Sequence, residues 1–187
     1  MGSLSLGVIK MQVDDSDRNI VLIGFMGTGK STVGTGLAKQ LGYAFVDLDE
    51  EIVRQEGMSI PEIFAQHGEG YFREAESRAL MQLMGQQRLV IATGGGCVLR
   101  EVNCRRMKEQ GFVVHLTAAV GTIIERIKDD HNRPLLQGDA SERVRSLMAE
   151  RAGKYDFADA EIATDARSMD QITADVIAAY VNLNRLK

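Results

Sequence analysis

Five short apolar runs punctuate the chain, at 19–24, 44–47, 88–93, 112–116 and 161–163, each followed by a polar or glycine-bearing joint. Their residues are nearly all apolar rather than alternating, as in strands covered by helices on both faces. Stretches with helical spacing fall between and after them, at 30–41, 48–56, 70–84, 99–110, 120–128, 140–151 and 168–183. Strand-then-helix alternation predicts an α/β fold: a five-stranded parallel sheet with helices on both faces. Ser59 and Glu62 form a capping box for a further short helix running to 66, with Pro61 in its first turn. The segment 129–139, DDHNRPLLQGD, fits neither period, is polar and holds one of only two prolines. Long irregular loops in compact domains are often lids, and a lid is expected there. Residues 1–18 carry no pattern, so a flexible N-terminal segment is expected ahead of a single domain at 19–187.

Composition narrows the class without changing this picture. A chain of 187 residues can bury about 70% of its unfolded surface around one core. With 44% apolar and 26% charged residues, the balance excludes disordered, collagen-like and coiled-coil proteins. No apolar run approaches the roughly 18 residues of a membrane span, and no secretory signal pattern opens the sequence. No membrane association and a cytoplasmic location are expected. The formal net charge of −4 argues against nucleic acid as a partner, so any anionic ligand must be held locally. Cys97 and Cys104 lack zinc-site spacing, as do His67, His115 and His131, and a packing or surface role is expected for each.

The chemistry concentrates in Gly24-Phe-Met-Gly-Thr-Gly29-Lys30-Ser31, which fits the phosphate loop G-x-x-x-x-G-K-[ST] at every fixed position, between a strand and a helix. Glycines let the backbone N–H groups turn inward around a phosphate, and the dipole of the helix starting there favours negative charge. Lys30 would reach the β- and γ-phosphates, and the Ser31 hydroxyl would ligate Mg²⁺. Neither the Asp-x-x-Gly switch nor the Asn-Lys-x-Asp base reader of a GTPase occurs. A small kinase instead needs an acceptor pocket beside the loop, at the strand ends. Asp47-Leu-Asp49 closes the second strand, Phe72-Arg73-x-x-Glu76 lies in a helix, and Thr93-Gly94-Gly95-Gly96 closes the third strand. If the segment stays extended, Asp47 and Asp49 point the same way. Arg73 and Arg151, taken singly, read as surface residues; Glu76 lies one turn from Arg73 and is able to fix its rotamer.

Together with GFMGTGKST, Arg133-Pro134-Leu135-Leu136 and Arg151-x-x-x-Tyr155, these segments resemble the shikimate kinase family, in the same order, over about 20–181. That resemblance implies a P-loop, nucleoside-monophosphate-kinase-like sheet of strand order 2-3-1-4-5. It also implies MgATP-dependent phosphorylation of the 3-hydroxyl of shikimate, on the way to chorismate and the aromatic amino acids. Residue by residue it implies catalysis by Lys30, Asp49 and Arg133. ATP would bind at Gly27, Thr28, Gly29, Lys30, Ser31, Thr32, Arg126, Arg133 and Arg167. Shikimate would bind at Asp49, Arg73, Gly94, Gly95, Gly96 and Arg151, and only their spacing within the family makes Arg73 and Arg151 a carboxylate clamp. Mg²⁺ would be held by Ser31 and, through water, by Asp47. Counterparts of Ile60, Phe64 and Phe72 border the family's acceptor pocket, and a monomer is expected. The segment 163–169 departs from the family's adenine loop, which often has an acidic residue before its Thr and a later proline. Two rivals stand beside this reading. A gluconate-type sugar-acid kinase would also need a carboxylate site, and a binding protein on an inactive kinase fold would be expected to lose Lys30, Asp49 or Arg133.

Overall fold

The computed structural model describes residues 18–127 and 140–185. The expected lid at 129–139, Arg133 within it, and most of the N-terminal segment lie outside the described residues. The order is β1 (Asn19–Ile23), α1 (Lys30–Leu41), β2 (Ala44–Asp47), α2 (Leu48–Glu56), α3 (Ile60–Met84) and β3 (Leu89–Ala92). A 3₁₀ turn at Cys97–Leu99, α4 (Glu101–Gln110), β4 (Gly111–Thr117), α5 (Val120–Ile127), α6 (Ala140–Glu150), β5 (Ala160–Ala163) and α7 (Met169–Arg185) follow. All pairings are parallel and the sheet order is β2-β3-β1-β4-β5, as the family resemblance implied.

The pleat of β1 divides the core. Val21 and Ile23 point into a cluster with Leu48 and Ile52 of α2, Ala79, Leu80 and Leu83 of α3, and Met107 of α4. Ile20 and Leu22 point to the other face, against Val33 and Leu37 of α1 and Ile172, Val176 and Tyr180 of α7. Burial on both faces holds for β1, β3 and most of β4. It fails at the edges, where Ala44 of β2 is exposed and β5 buries only Ile162, because an edge strand has a neighbour on one side alone. Asn19 is a polar exception inside. Its side chain accepts from Leu89 N–H at 2.9 Å and donates to Gln86 O at 2.9 Å, fixing the start of β1 against β3.

Two junctions shape the site. The helices expected to 66 and from 70 are both present as the two halves of α3, which meet at the non-helical Gly68 (φ 80°, ψ 174°). The start of α3 is the expected capping box: Ser59 Oγ accepts from Glu62 N–H and Glu62 Oε2 accepts from Ser59 N–H at 2.7 Å. The second junction brings a correction. Asp47 and Asp49 do not lie on one extended segment, because α2 begins at Leu48 and Asp49 sits in its first turn. Asp47 is the cap, its Oδ1 accepting from Asp49 N–H at 3.0 Å, so the relation between the two is that of a helix cap and its turn.

Candidate active site

The carboxyl ends of β1, β3 and β2 open side by side, and the connections that follow the neighbours β1 and β3 run in opposite directions along the sheet, to β2 and to β4. Ligands of parallel α/β sheets sit in that crevice. From β1 the phosphate loop runs into α1 with no acidic residue in the helix's first turn, so its N-terminal N–H groups face an open anion site. Lys30 Nζ lies across the loop, donating to the carbonyls of Gly24 at 2.9 Å and Phe25 at 2.8 Å. Thr28 Oγ1 donates to Phe25 O at 2.8 Å and ties the loop's own turn. Ser31 and Thr32 are exposed one step further along α1.

Ser31 Oγ donates to Asp47 Oδ2 at 2.8 Å, which brings the two expected metal-side residues together at the end of β2. No group of three His, Cys, Asp or Glu suited to a metal occurs among the described residues. A hydroxyl and one carboxylate fit Mg²⁺, which keeps several waters and takes phosphate oxygens from a nucleotide, rather than an ion that needs a protein cage.

The three glycines after β3 are where acceptor-side residues converge. A Cβ on Gly94 would lie 2.8 Å from Asp49 Oδ1 and 3.3 Å from Glu76 Oε1, and one on Gly96 would lie 2.6 Å from Arg73 Nη1. The residue type is therefore set by close approach of Asp49, Glu76 and Arg73 as well as by the open N–H groups expected of it. Arg151, also buried, donates through Nη1 to Gly95 O at 3.1 Å and lies over the Phe25 ring, 5.3 Å from its centroid. Tyr155 donates to the same carbonyl at 3.4 Å. Thus Arg73 and Arg151 approach one glycine segment from two different elements, α3 and the turn after α6.

Arg73 donates to Glu76 Oε2 at 3.0 Å, as its helical spacing predicts, and also to Glu69 at 3.3 Å. Glu76 is fully buried, and its Oε1 has no hydrogen-bond partner. Burial raises its pKa to about 7, with the Asp49 charge in the same direction and Arg73 opposing both. Burial works against the charge of Arg73, but Glu76 and Glu69 outweigh it and hold its proton more firmly than usual.

Arg126 spans from the phosphate loop to the 164 loop, donating to Gly27 O at 3.0 Å and to Thr164 Oγ1 and O at 3.1 and 3.2 Å. Arg167, on that same loop, is turned to Asp175 of α7 at 2.5 Å. Phe72 is buried against the tilted ring of half-exposed Phe64, 4.8 Å between centroids. Sequence reasoning missed four contributors. Arg100 donates to Arg73 O at 2.9 Å with no motif to mark it, and Phe25 lies beneath Arg151 because the phosphate loop folds back. Asp165 accepts from Ala119 N–H through both oxygens at 3.0 Å, joining the 164 loop to the start of α5. Glu69 alone had a local signal, its i,i+4 spacing from Arg73.

With this geometry in hand, comparison with known proteins is direct. The sequence model of the shikimate kinase family matches residues 26–181. The shikimate kinase of Geobacter sulfurreducens is 45% identical over 171 residues, covering 91% of this chain and 94% of that protein. That of Persephonella marina is 44% identical over 160 residues, covering 86% and 97%. Among solved structures, a shikimate kinase from Acinetobacter baumannii in complex with shikimate is similar at a TM-score of 0.84. It is 38% identical, covering 91% of this chain and 96% of that one. A gluconokinase from Sinorhizobium meliloti is similar at a TM-score of 0.59 but only 18% identical, covering 89% and 93%, which is a likeness of fold alone.

Proposed function

This chain belongs to the shikimate kinase family, and on that premise we propose that its crevice transfers the γ-phosphoryl group of ATP to the 3-hydroxyl of shikimate. The products are shikimate 3-phosphate and ADP, on the route to chorismate and the aromatic amino acids. The observation that carries this reading is the convergence of Asp49, Arg73 and Arg151 on Gly94, Gly95 and Gly96 beside the phosphate loop. It offers two guanidinium groups for a carboxylate and one carboxylate for a hydroxyl, which is the chemistry of a hydroxy-acid acceptor.

The roles follow from that placement. Gly27, Thr28, Gly29, Ser31 and Thr32 present backbone N–H groups and hydroxyls to the phosphates. Lys30 exchanges its two loop carbonyls for β- and γ-phosphate oxygens and steadies the charge that spreads over the transferred group. Ser31, and Asp47 through water, would hold Mg²⁺, which would supply positive charge against that developing on the phosphates. Asp49 accepts the hydrogen bond of the attacking hydroxyl and orients it. Because phosphoryl transfer is largely dissociative, orientation matters more here than early proton removal. Arg73 and Arg151 hold the acceptor's carboxylate while the glycine N–H groups meet its other hydroxyls. Arg126 and Arg167 flank the adenine end, and Arg133, outside the described residues, is assigned the closing position over the transferred phosphate from sequence alone.

A monomer in the cytoplasm, with ATP and shikimate as its partners and neither nucleic acid nor membrane among them, completes the reading. The net charge of −4 speaks against a nucleic-acid partner, and no helix among the described residues is long and apolar enough to cross a membrane. The test is product analysis: protein with MgATP and either shikimate or gluconate, followed by mass spectrometry and phosphorus NMR. One phosphoryl group on the 3-hydroxyl of shikimate, with gluconate unchanged, is the expected result. Phosphorylated gluconate would replace the reading by the sugar-acid rival, and ADP release in neither arm would favour the inactive-fold rival.

A further inference from the structure

We propose that His115 is a positioning residue for the acceptor clamp: its ring, stacked on Tyr155, holds the turn that carries Arg151 at the angle needed for the acceptor's carboxylate. The inference rests on the carboxylate-acceptor reading above and adds to it a residue that touches neither substrate nor reacting atoms.

The segment 151–157 follows the end of α6 as a run of hydrogen-bonded turns rather than a continued helix, with Lys154 N–H donating to Arg151 O and Ala158 N–H to Tyr155 O, each at 3.0 Å, and it contains Gly153 at φ 76°. A half-open cleft of about 180 Å³ beside it is bordered by Phe25, Thr28, Met148 and Gly153 as well as by His115 and Tyr155. Arg151 is buried over the Phe25 ring, and the turn that carries it is tied to the sheet by a directed contact. That contact is the stack of His115 on Tyr155, with ring centroids 4.4 Å apart and planes within 10°. Tyr155 then donates to Gly95 O, the carbonyl to which Arg151 also donates, so the stack and the clamp meet on one acceptor-site atom.

The footing of His115 is the sheet itself: it lies in β4 in register with Ile23, the residue just before the phosphate loop. Its Nδ1 is 3.1 Å from Glu161 Oε2 on β5, but that carboxylate is largely exposed and holds the ring less than the strand does. Burial lowers the pKa of His115 below the ordinary imidazole value, with Glu161 and Asp156 opposing and the Lys30 charge acting the same way as burial. The sheet's position is thereby passed through two aromatic rings to the guanidinium of Arg151.

Steady-state kinetics on His115→Ala, His115→Phe and Glu161→Ala, with shikimate and ATP varied separately, tests this. Loss of an aromatic pair should raise the shikimate KM of His115→Ala about three- to tenfold, with kcat and the ATP KM changed less than about twofold. Phe restores a flat ring without the Glu161 hydrogen bond, so His115→Phe should return the shikimate KM to within about twofold of wild type. The Phe variant also decides the case if His115→Ala fails to fold: a shikimate KM raised in folded His115→Phe overturns the proposal. So does an unchanged KM in His115→Ala, an equal effect on ATP, or a Glu161→Ala effect as large as that of His115→Ala. Wild-type protein that neither binds nor phosphorylates shikimate would refute the function itself and this inference with it, an outcome distinct from active wild type with unaltered variants.

Discussion

Lys30 and Glu76 show how differently two charged residues of one crevice are placed. Lys30 donates to two loop carbonyls, and in the proposed role it exchanges them for phosphate oxygens. Lys30→Met should therefore unfold near the wild-type temperature while losing most turnover, a pair of readings available from thermal melting and ADP release. Wild-type-like turnover in this variant would remove the phosphate loop from the chemistry. Glu76 is the reverse case, a carboxyl whose folded pKa is raised from 4.5 to about 7 by burial and by Asp49. Between those two values the native state keeps a proton that the unfolded chain has released, so Glu76 makes stability fall as pH rises through that window. The full effect is on the order of 3 kcal/mol, complete above about pH 7. Urea unfolding at pH 5 and pH 8 should show wild type losing more stability than Glu76→Gln on going up; equal losses would mean that Glu76 ionises normally. At this scale sequence spacing made the Arg73 and Glu76 contact legible, because a helix puts residues three apart on one face. It could not reveal the buried position of Glu76, which depends on α2 and the glycine segment closing over it.

Among the elements, α3 has the most bearing on function, since it begins at an exposed cap and ends in the core while carrying Arg73 between. Both of its halves were legible in the sequence, the first from its capping box and the second from its apolar spacing, and Gly68 falls in the gap between them. What spacing could not supply is the direction change itself, set by φ 80° and ψ 174° at Gly68. An alanine there would sit in a region costly by about 1–3 kcal/mol for a residue with a side chain. Gly68→Ala should accordingly lose stability of that order, and because Arg73 lies five residues on, raise the acceptor KM while sparing that of ATP. Denaturant unfolding and two-substrate kinetics measure both effects, and an equal rise in both KM values would argue that the bend serves general folding alone. The β2–α2 junction is the opposite lesson. Alternation along a strand put Asp47 and Asp49 on one side, although helical spacing already began at 48; the helix prevails, with Asp47 as its cap and Asp49 in its first turn.

Across the whole molecule, parallel strand order does most of the work of assembling the site. Residues 24–31, 47–49, 73–76, 94–96 and 151–155 are far apart in sequence, and β1, β2 and β3 deliver three of those segments to one edge of the sheet. The sheet class was legible from strand-then-helix alternation. Its order was carried by family resemblance, because periodicity within a segment says nothing about which strand lies next to which. Supports such as Arg100, Phe25 and His115 stayed hidden for the same reason: each acts across elements, through a contact that no local pattern encodes. The central claim is that this arrangement fixes a carboxylate between Arg73 and Arg151. It is tested most directly by the shikimate KM of wild type and of Arg151→Ala, compared with that of a shikimate analogue whose carboxylate is an amide. Charge-assisted hydrogen bonds contribute roughly 1.5–3 kcal/mol each, so mutation or analogue alone should weaken binding by about ten- to over a hundredfold. If the two changes remove the same contact, together they should cost little more than either alone. Losses that multiply in full would mean that Arg151 does not face the carboxylate, and would contradict the account.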